Sequence, residues 1–367
     1  MESNQSLSSG GEIMKYLIVA AEYGNGHLAV SQAIIDQLSS DDQYELIIPA
    51  NIGKQSLKSK FNVYMYNNVI SKHTKTGIIK SGFNALYNSV VKHKLLYNVE
   101  KGNGRKQLAD KIKAYQPDVI VETYPHIIKD TYNALRVCVI TDYNFANVYL
   151  AETANAIYCV ASPIIKELMI NKFNVKPKQI FVTGIPVRPE FDQTTLARSA
   201  KKILITLGAR GQISKKDIDL MIDSCLKNNL EVKVVCGKNE TMFEYLKDCS
   251  DITVYGFVYD MYNIYKDIDL VITKSGGISI SECICAEKPM IINIDQSVAA
   301  QESKNQEYIK QAQIGICAKI NDIDQAISKF ATDDQFYQQV VDKIKQVKKD
   351  NYQQGIVDVI KNHIRPK

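Results

Sequence analysis

Twice along the chain, short β-branched runs alternate with stretches of helical spacing, and a proline-stiffened connector separates the two series. That alternation is the pattern of parallel strands covered by crossover helices. The first series of strands is predicted at residues 16–21, 44–48, 118–122, 137–140, 156–160 and 179–183, with helices over 28–38, 106–114 and 163–171. After Gly184-Ile-Pro-Val-Arg-Pro-Glu-Phe191 the pattern restarts, with strands at 202–206, 231–236, 252–255, 270–273, 290–293 and 316–319. The two prolines hold that connector extended. The expected fold is therefore α/β with two Rossmann-like domains. Its divisions are a disordered extension at 1–13, a first domain at 14–190, a second at 191–332 and a C-terminal tail of one or two polar helices at 333–367. Residues 1–13 lack the apolar core of a signal peptide, and Met14 directly precedes the first strand.

Composition removes several function classes. With 45% hydrophobic and 23% charged residues the chain is an ordinary globular protein. Its eight cysteines sit mostly inside apolar runs, which suits reduced core thiols in a cytosolic setting. The pair Cys283 and Cys285 lacks the neighbours of a zinc site, and no metal is expected. No run approaches the roughly 18 apolar residues of a membrane span.

One insertion breaks the rhythm. Residues 54–106 hold ten lysines and Arg105 against one acid, Glu100, a net +10 in a chain whose total is +5. Phe61, Tyr64, Tyr66, Phe83, Tyr87 and Tyr97 are interleaved with these charges. Helical, basic and aromatic together is the composition of an element lying in an anionic membrane interface. Lys72, Lys75, Lys80, Lys92 and Lys94, with Tyr87, are the candidate contacts. A solvated pair of basic surface helices is the plainer alternative. No nucleic-acid motif accompanies the charge, so RNA or DNA is not an expected partner.

Four glycine-bearing or polar turns fall just after strands, where α/β folds place ligands. Glu22-Tyr-Gly-Asn-Gly-His27 follows the opening strand, so Gly26 and His27 face that crevice. Leu207-Gly-Ala-Arg-Gly211 holds the equivalent place in the second domain, with Gly208 and Gly211. Lys274-Ser-Gly-Gly-Ile-Ser-Ile-Ser-Glu282 opens a helix whose first N–H groups suit a pyrophosphate, and Glu282 is placed to hold both hydroxyls of a ribose. A serine-capped helix with a solvent-facing glutamate is the structural alternative. Gln301, Glu302 and Asn305 share one helical face and offer hydrogen bonds to a polyhydroxylated ligand.

These features together resemble the GT-B glycosyltransferases that make glycolipids, closest to the bacterial processive diacylglycerol β-glucosyltransferases. The resemblance runs from about residue 14 to about 305 and includes Gln116-Pro-Asp-Val-Ile-Val121, Ile140-Thr-Asp142, Val234-Val-Cys-Gly-Lys-Asn239 and Tyr255-Gly-Phe-Val258. It implies two domains facing a cleft, with UDP-glucose as donor and no cofactor. It further implies uracil on the amide edges of Phe257 and Val258, ribose on Glu282, and diphosphate on Ser275, Gly276, Gly277 and Ile278. The donor sugar falls to Gln301, Glu302 and Asn305, and Arg188 flanks the nucleotide. His27 faces the reaction centre as base, with Asp142 the next candidate. The relatives' Leu-His-x-x-Trp pattern is replaced here, with Ala146 and Tyr149 at the histidine and tryptophan positions, and His126 is a candidate substitute.

The implied activity is inverting transfer of glucose to diacylglycerol or glucosyl-diacylglycerol by a peripheral protein on the cytoplasmic face of the membrane, with or without a soluble cytoplasmic pool. Alternatives are UDP-galactose or UDP-N-acetylglucosamine as donor, a GT-B epimerase, and a weakened UDP-sugar-binding regulatory protein.

Overall fold

The computed structural model describes residues 13–21, 26–48, 104–124, 133–145, 150, 156–193, 197–208, 213–296 and 300–364. The expectations placed on Lys72, Lys75, Lys80, Tyr87, Lys92, Lys94, His126, Ala146, Tyr149 and Gly211 lie outside the described residues, as does the side chain of Gln301.

In the first half the elements are β1 (Lys15–Val19), α1 (Gly26–Ile35), β2 (Gln43–Ile47), α2 (Gly104–Tyr115), β3 (Val119–Glu122), β4 (Leu135–Val139), β5 (Ala156–Val160), α3 (Pro163–Phe173) and β6 (Ile180–Val182). The second half begins with β7 (Lys202–Thr206), α4 (Lys215–Lys227), β8 (Glu231–Val235), α5 (Glu240–Leu246), β9 (Ile252–Tyr255), α6 (Tyr262–Tyr265) and β10 (Leu270–Thr273). It continues through α7 (Gly277–Cys285), β11 (Met290–Asn293), α8 (Ala300–Ala312), β12 (Gly315–Ala318) and α9 (Ile323–Thr332) to the tail helices α10 (Asp334–Asn351) and α11 (Ile356–Lys361).

Two six-stranded sheets result, ordered β2-β1-β3-β4-β5-β6 and β12-β11-β10-β7-β8-β9, with every described pairing parallel. Helices on both faces explain why β3, β5, β10 and β11 are buried at every residue. In each sheet the chain first builds outward on one side of its opening strand, then crosses to the other. The crossover leaves a crevice between β1 and β3 in the first sheet and between β7 and β10 in the second. Such switch points are where open α/β sheets bind ligands, beyond the carboxyl ends of the strands.

One hydrophobic cluster extends through both sheets, from Tyr16 and Val30 to Ile280 and Phe330. A smaller cluster, including Leu17, Ile112 and Ile120, fills the space between the first sheet and α2. Each fully buried aliphatic side chain of this kind contributes roughly 1.5–3 kcal/mol. Local chemistry fixes the helix starts: Ser214 caps α4 by accepting from the Asp217 N–H, and Asp333 caps α10 by accepting from the Phe336 N–H. Asp269 anchors the start of β7 by accepting from the N–H groups of Lys201 and Lys202. Asp267 bonds the ammonium groups of Lys202 and Lys233.

The tail departs from the expectation of polar helices. Whereas α10 is largely polar, α11 buries Ile356, Val357, Val359 and Ile360. It returns towards the first half, where His363 meets Phe181 edge-on at 4.6 Å. Tyr352, between the two tail helices, donates to the Ile185 carbonyl at 3.0 Å and packs on Gly184. A Cβ at Gly184 would collide with that ring, and its φ of +69° also favours glycine. All eight cysteines are free thiols, with Cys249 exposed and Cys317 half-buried. Among the described residues, no helix is long and apolar enough to cross a membrane.

Candidate active site

The first crevice holds His27, the second residue of α1. Its Nδ1–H donates to the Thr123 carbonyl at the end of β3, at 2.7 Å, and Thr141 Oγ1 lies 3.3 Å from the same nitrogen. The Thr123 hydroxyl returns a bond to the His27 carbonyl at 3.2 Å and stands 3.0 Å from Ser31 Oγ, so helix and strand end are tied twice. With Nδ1 carrying the proton, Nε2 keeps a lone pair. Burial pushes the imidazole pKa down to about 4, so the ring is neutral at physiological pH. A neutral, oriented imidazole can accept a proton from a hydroxyl.

Behind this crevice Arg136 Nη2 donates to Glu122 Oε2 at 2.7 Å in a buried ion pair. Burial raises Glu122 to about 7, against the pull of the guanidinium. Asp142 follows β4, and burial raises its carboxyl to about 6 despite the Asn305 amide donating to it at 3.0 Å.

The second crevice has different contents. α7 begins after Gly276, which offers no side-chain cap, unlike Ser214 or Asp333 at their helices. Its first N–H groups therefore stand at the positive end of the helix without a competing side chain. Lys274 runs beside Gly208, whose φ is +69°, and its Nζ donates to Glu302 Oε1 at 2.9 Å. A Cβ on Gly208 would sit 3.4 Å from Lys274 Cε, so the glycine leaves the lysine its path. An ammonium, two glycine turns and uncapped helix N–H groups are chemistry that can hold a diphosphate.

Glu282, one turn further along α7, faces Arg188 across a cavity of about 70 Å³ that Ala29, Ala33, Ile278 and Tyr259 also line. Burial lifts the Glu282 carboxyl to about 8, with Arg188 pulling it down. Arg188 itself donates from Nη1 to the Tyr259 carbonyl at 3.1 Å and lies 3.6 Å from Asp36. Phe257 is partly exposed on the loop after β9, and Lys238 lies over its ring at 5.2 Å.

Residues 27–187 match the model of monogalactosyldiacylglycerol (MGDG) synthase, and residues 203–356 match the glycosyltransferase family 28 C-terminal domain. A processive diacylglycerol beta-glucosyltransferase of Bacillus pumilus is 27% identical over 321 residues, covering 81% of each chain. One from Bacillus cereus (strain 03BB102) is 28% identical over 382 residues, covering 96% of this chain and 95% of its own. Among solved structures, the glycotransferase of kitacinnamycin superposes with a TM-score of 0.62 at 13% identity, covering 97% of this chain and 100% of its own. The chain has the GT-B fold and resembles the glycolipid-synthase glycosyltransferases in both halves. It is a UDP-sugar-dependent hexosyltransferase.

Of the residues singled out from the sequence, the structure brings Gly26, His27 and Asp142 of the first half to the same interface as Gly276, Gly277, Ile278, Glu282, Glu302 and Asn305. Gly26 lies against Ile278 across that interface. Asn305, expected among the sugar contacts of a glycolipid synthase, is fully buried. Its Nδ2 donates to Asp142 Oδ1 and to the Ser275 carbonyl at 2.9 Å, and its Oδ1 accepts from the Tyr143 N–H at 2.8 Å. Ser275 Oγ accepts from Gln306 at 3.2 Å. Sequence reasoning gave no role to Lys274, Thr123 or Tyr143. Only for Lys274 was a signal present, since it opens the glycine motif.

Proposed function

We propose that this hexosyltransferase moves glucose from UDP-glucose to diacylglycerol or glucosyl-diacylglycerol, with inversion, at the anionic cytoplasmic surface of the membrane. The observation that carries the reading is the neutral His27, its Nδ1–H held by a backbone carbonyl, in the crevice that faces the uncapped start of α7. In the reaction His27 Nε2 takes the proton of the acceptor hydroxyl as its oxygen attacks the anomeric carbon. The bond from that carbon to the β-phosphate oxygen breaks, and its electron pair leaves with UDP. Attack opposite the leaving group turns an α-linked donor into a β-glycoside.

Charge developing on the diphosphate meets the N–H groups of Gly277 and Ile278 and the ammonium of Lys274, all preorganised before the reaction, while the Gly276 N–H is spent on the Lys274 carbonyl at 2.9 Å. Glu282 takes the ribose hydroxyls, Phe257 and Val258 present backbone to uracil, and Glu302 with Gln301 reads the sugar. Gly208 lets the chain pass close to the phosphates, Gly211 is a further candidate contact, and Ser275 and Arg188 flank them. Asp142 stands beside the acceptor hydroxyl and is the second candidate base. Lys72, Lys75, Lys80, Lys92 and Lys94 supply attraction to anionic lipid of about 1 kcal/mol each when near the surface, and Tyr87 adds apolar contact.

The match of residues 27–187 to MGDG synthase puts UDP-galactose beside UDP-glucose as a donor to test. The deciding assay offers labelled UDP-glucose, UDP-galactose and UDP-N-acetylglucosamine to the protein with diacylglycerol vesicles containing or lacking anionic lipid. Label should enter lipid as β-glucoside, faster on anionic vesicles. Preferential transfer from another donor, or an α-linked product, would overturn the reading.

A further inference from the structure

Three consecutive residues of the first half, Thr141, Asp142 and Tyr143, each meet the second half. The Thr141 carbonyl lies over Gly277, so closely that a Cβ there would overlap it. The three nearest atoms to that imagined Cβ belong to Thr141 of the first half and Ile185 of the connector. Asp142 is held by Asn305, which also accepts from the Tyr143 N–H. The Tyr143 ring stacks on Tyr308 at 4.3 Å and 21°, and its hydroxyl lies 2.9 Å from Ser281 Oγ. Ser281 spends its own proton on the Gly277 carbonyl at 2.9 Å, so Tyr143 is the donor of that pair. Ser281 immediately precedes Glu282 on α7.

The same tripeptide reaches the base, since Thr141 Oγ1 lies 3.3 Å from His27 Nδ1. One side of it therefore touches the imidazole and the other touches the nucleotide helix. We infer that Tyr143 is a positioning residue that sets the distance between the base on α1 and the donor bound on α7, through its bond to Ser281 and its stack on Tyr308. Buried at the seam, it acts through these two contacts. A phenol buried this completely stays protonated, so it remains a donor across the working pH range. The cavity of about 70 Å³ between α1 and α7 is far below the roughly 300–1,000 Å³ of small-molecule sites, so the halves must part to admit the donor and then regain their spacing. A buried donor–acceptor pair with a stacked ring restores one spacing, where apolar contact alone would allow a range.

The kinetic part of the inference rests on the glycosyltransferase reading above; the structural part does not. Tyr143→Phe keeps the stack and removes the hydroxyl. Near-attack geometry is steep in distance, so kcat should fall roughly 10–100-fold, while donor KM and the calorimetric affinity for UDP hold. Ser281→Ala should lower kcat equally, and the double variant should add nothing. Unchanged kcat in Tyr143→Phe, or additive losses in the double variant, would overturn the role. Gly277→Ala is the arm that needs no reaction. Its methyl group wedges the halves apart, so small-angle X-ray scattering should show a larger radius of gyration than wild type. An unchanged radius would overturn the tie even where sugar transfer is confirmed, and absent transfer with an enlarged radius would count against the reaction alone.

Discussion

At the switch point of the first sheet stand an imidazole and a peptide carbonyl; at that of the second stand a lysine, two glycine turns and uncapped helix N–H groups. The sheets are built alike, so the difference comes from the residues just beyond the strand ends. After β1 and β3 the chain places a neutral acceptor of protons. After β7 and β10 it places fixed positive potential. A group-transfer reaction needs both, the first for the attacking oxygen and the second for the departing one. The division teaches that the same crevice can serve either end of a reaction, depending on three or four residues at its lip.

The sharpest way to break this division is to remove the base. His27→Ala should cut turnover by roughly 10²–10⁴ and leave UDP affinity unchanged by calorimetry. Parallel loss of affinity would mean that the first crevice also holds donor. Within the second crevice, Glu282→Ala should weaken both UDP and uridine by about 1.5–3 kcal/mol. Lys274→Met should weaken UDP by a similar amount, about 1.5–3 kcal/mol, yet spare uridine, which has no phosphate. Equal losses for the two ligands would remove the lysine from the diphosphate.

Acidity separates the two candidate bases with a smaller effect. His27 is lowered to about 4 and Asp142 raised to about 6, so each accepts a proton from substrate only above its own value. With His27 as base, kcat/KM should stay nearly flat between pH 7 and 5 and fall towards 4. With Asp142 it should drop about tenfold over the same interval, since one pH unit below a pKa leaves about a tenth of the group ionised. The smallest effect belongs to the half-exposed Arg188 and Asp36. Asp36→Ala should cost roughly 0–1 kcal/mol in denaturant titration, and a larger loss would make that pair a structural strut between the halves.

Much of this architecture was readable from the sequence because parallel strands covered on both faces leave apolar runs that few other structures leave. His27 after β1, Gly208 after β7 and Gly276 after β10 were readable as candidates for a related reason, since glycine and histidine there serve no need of the strand. Asn305 shows where such reading stops. Its helical spacing from Glu302 indicates a shared face, yet spacing does not say that Asp142 and Tyr143 of the other half occupy it. Tyr143 and Ser281 likewise look like an ordinary core aromatic and an ordinary helical serine, since their bond spans 138 residues. Arg136 was concealed inside an apolar strand, where its partner Glu122 closes the preceding run. The polar reading of the tail missed α11 because Ile356, Val357, Val359 and Ile360 come after a long charged helix.

The partner of His27 is a carbonyl of the main chain, and this has a consequence for inheritance. Had a side chain carried the acceptor, any of several single-codon changes would delete it and leave the ring free to turn. A substitution at Thr123 still presents the same main-chain oxygen, so long as β3 ends where it does, although it loses the hydroxyl that ties the strand end to the His27 carbonyl and Ser31. The orientation of the imidazole is thus encoded in strand length, which an insertion or deletion before position 123 would change and a substitution at that position would not.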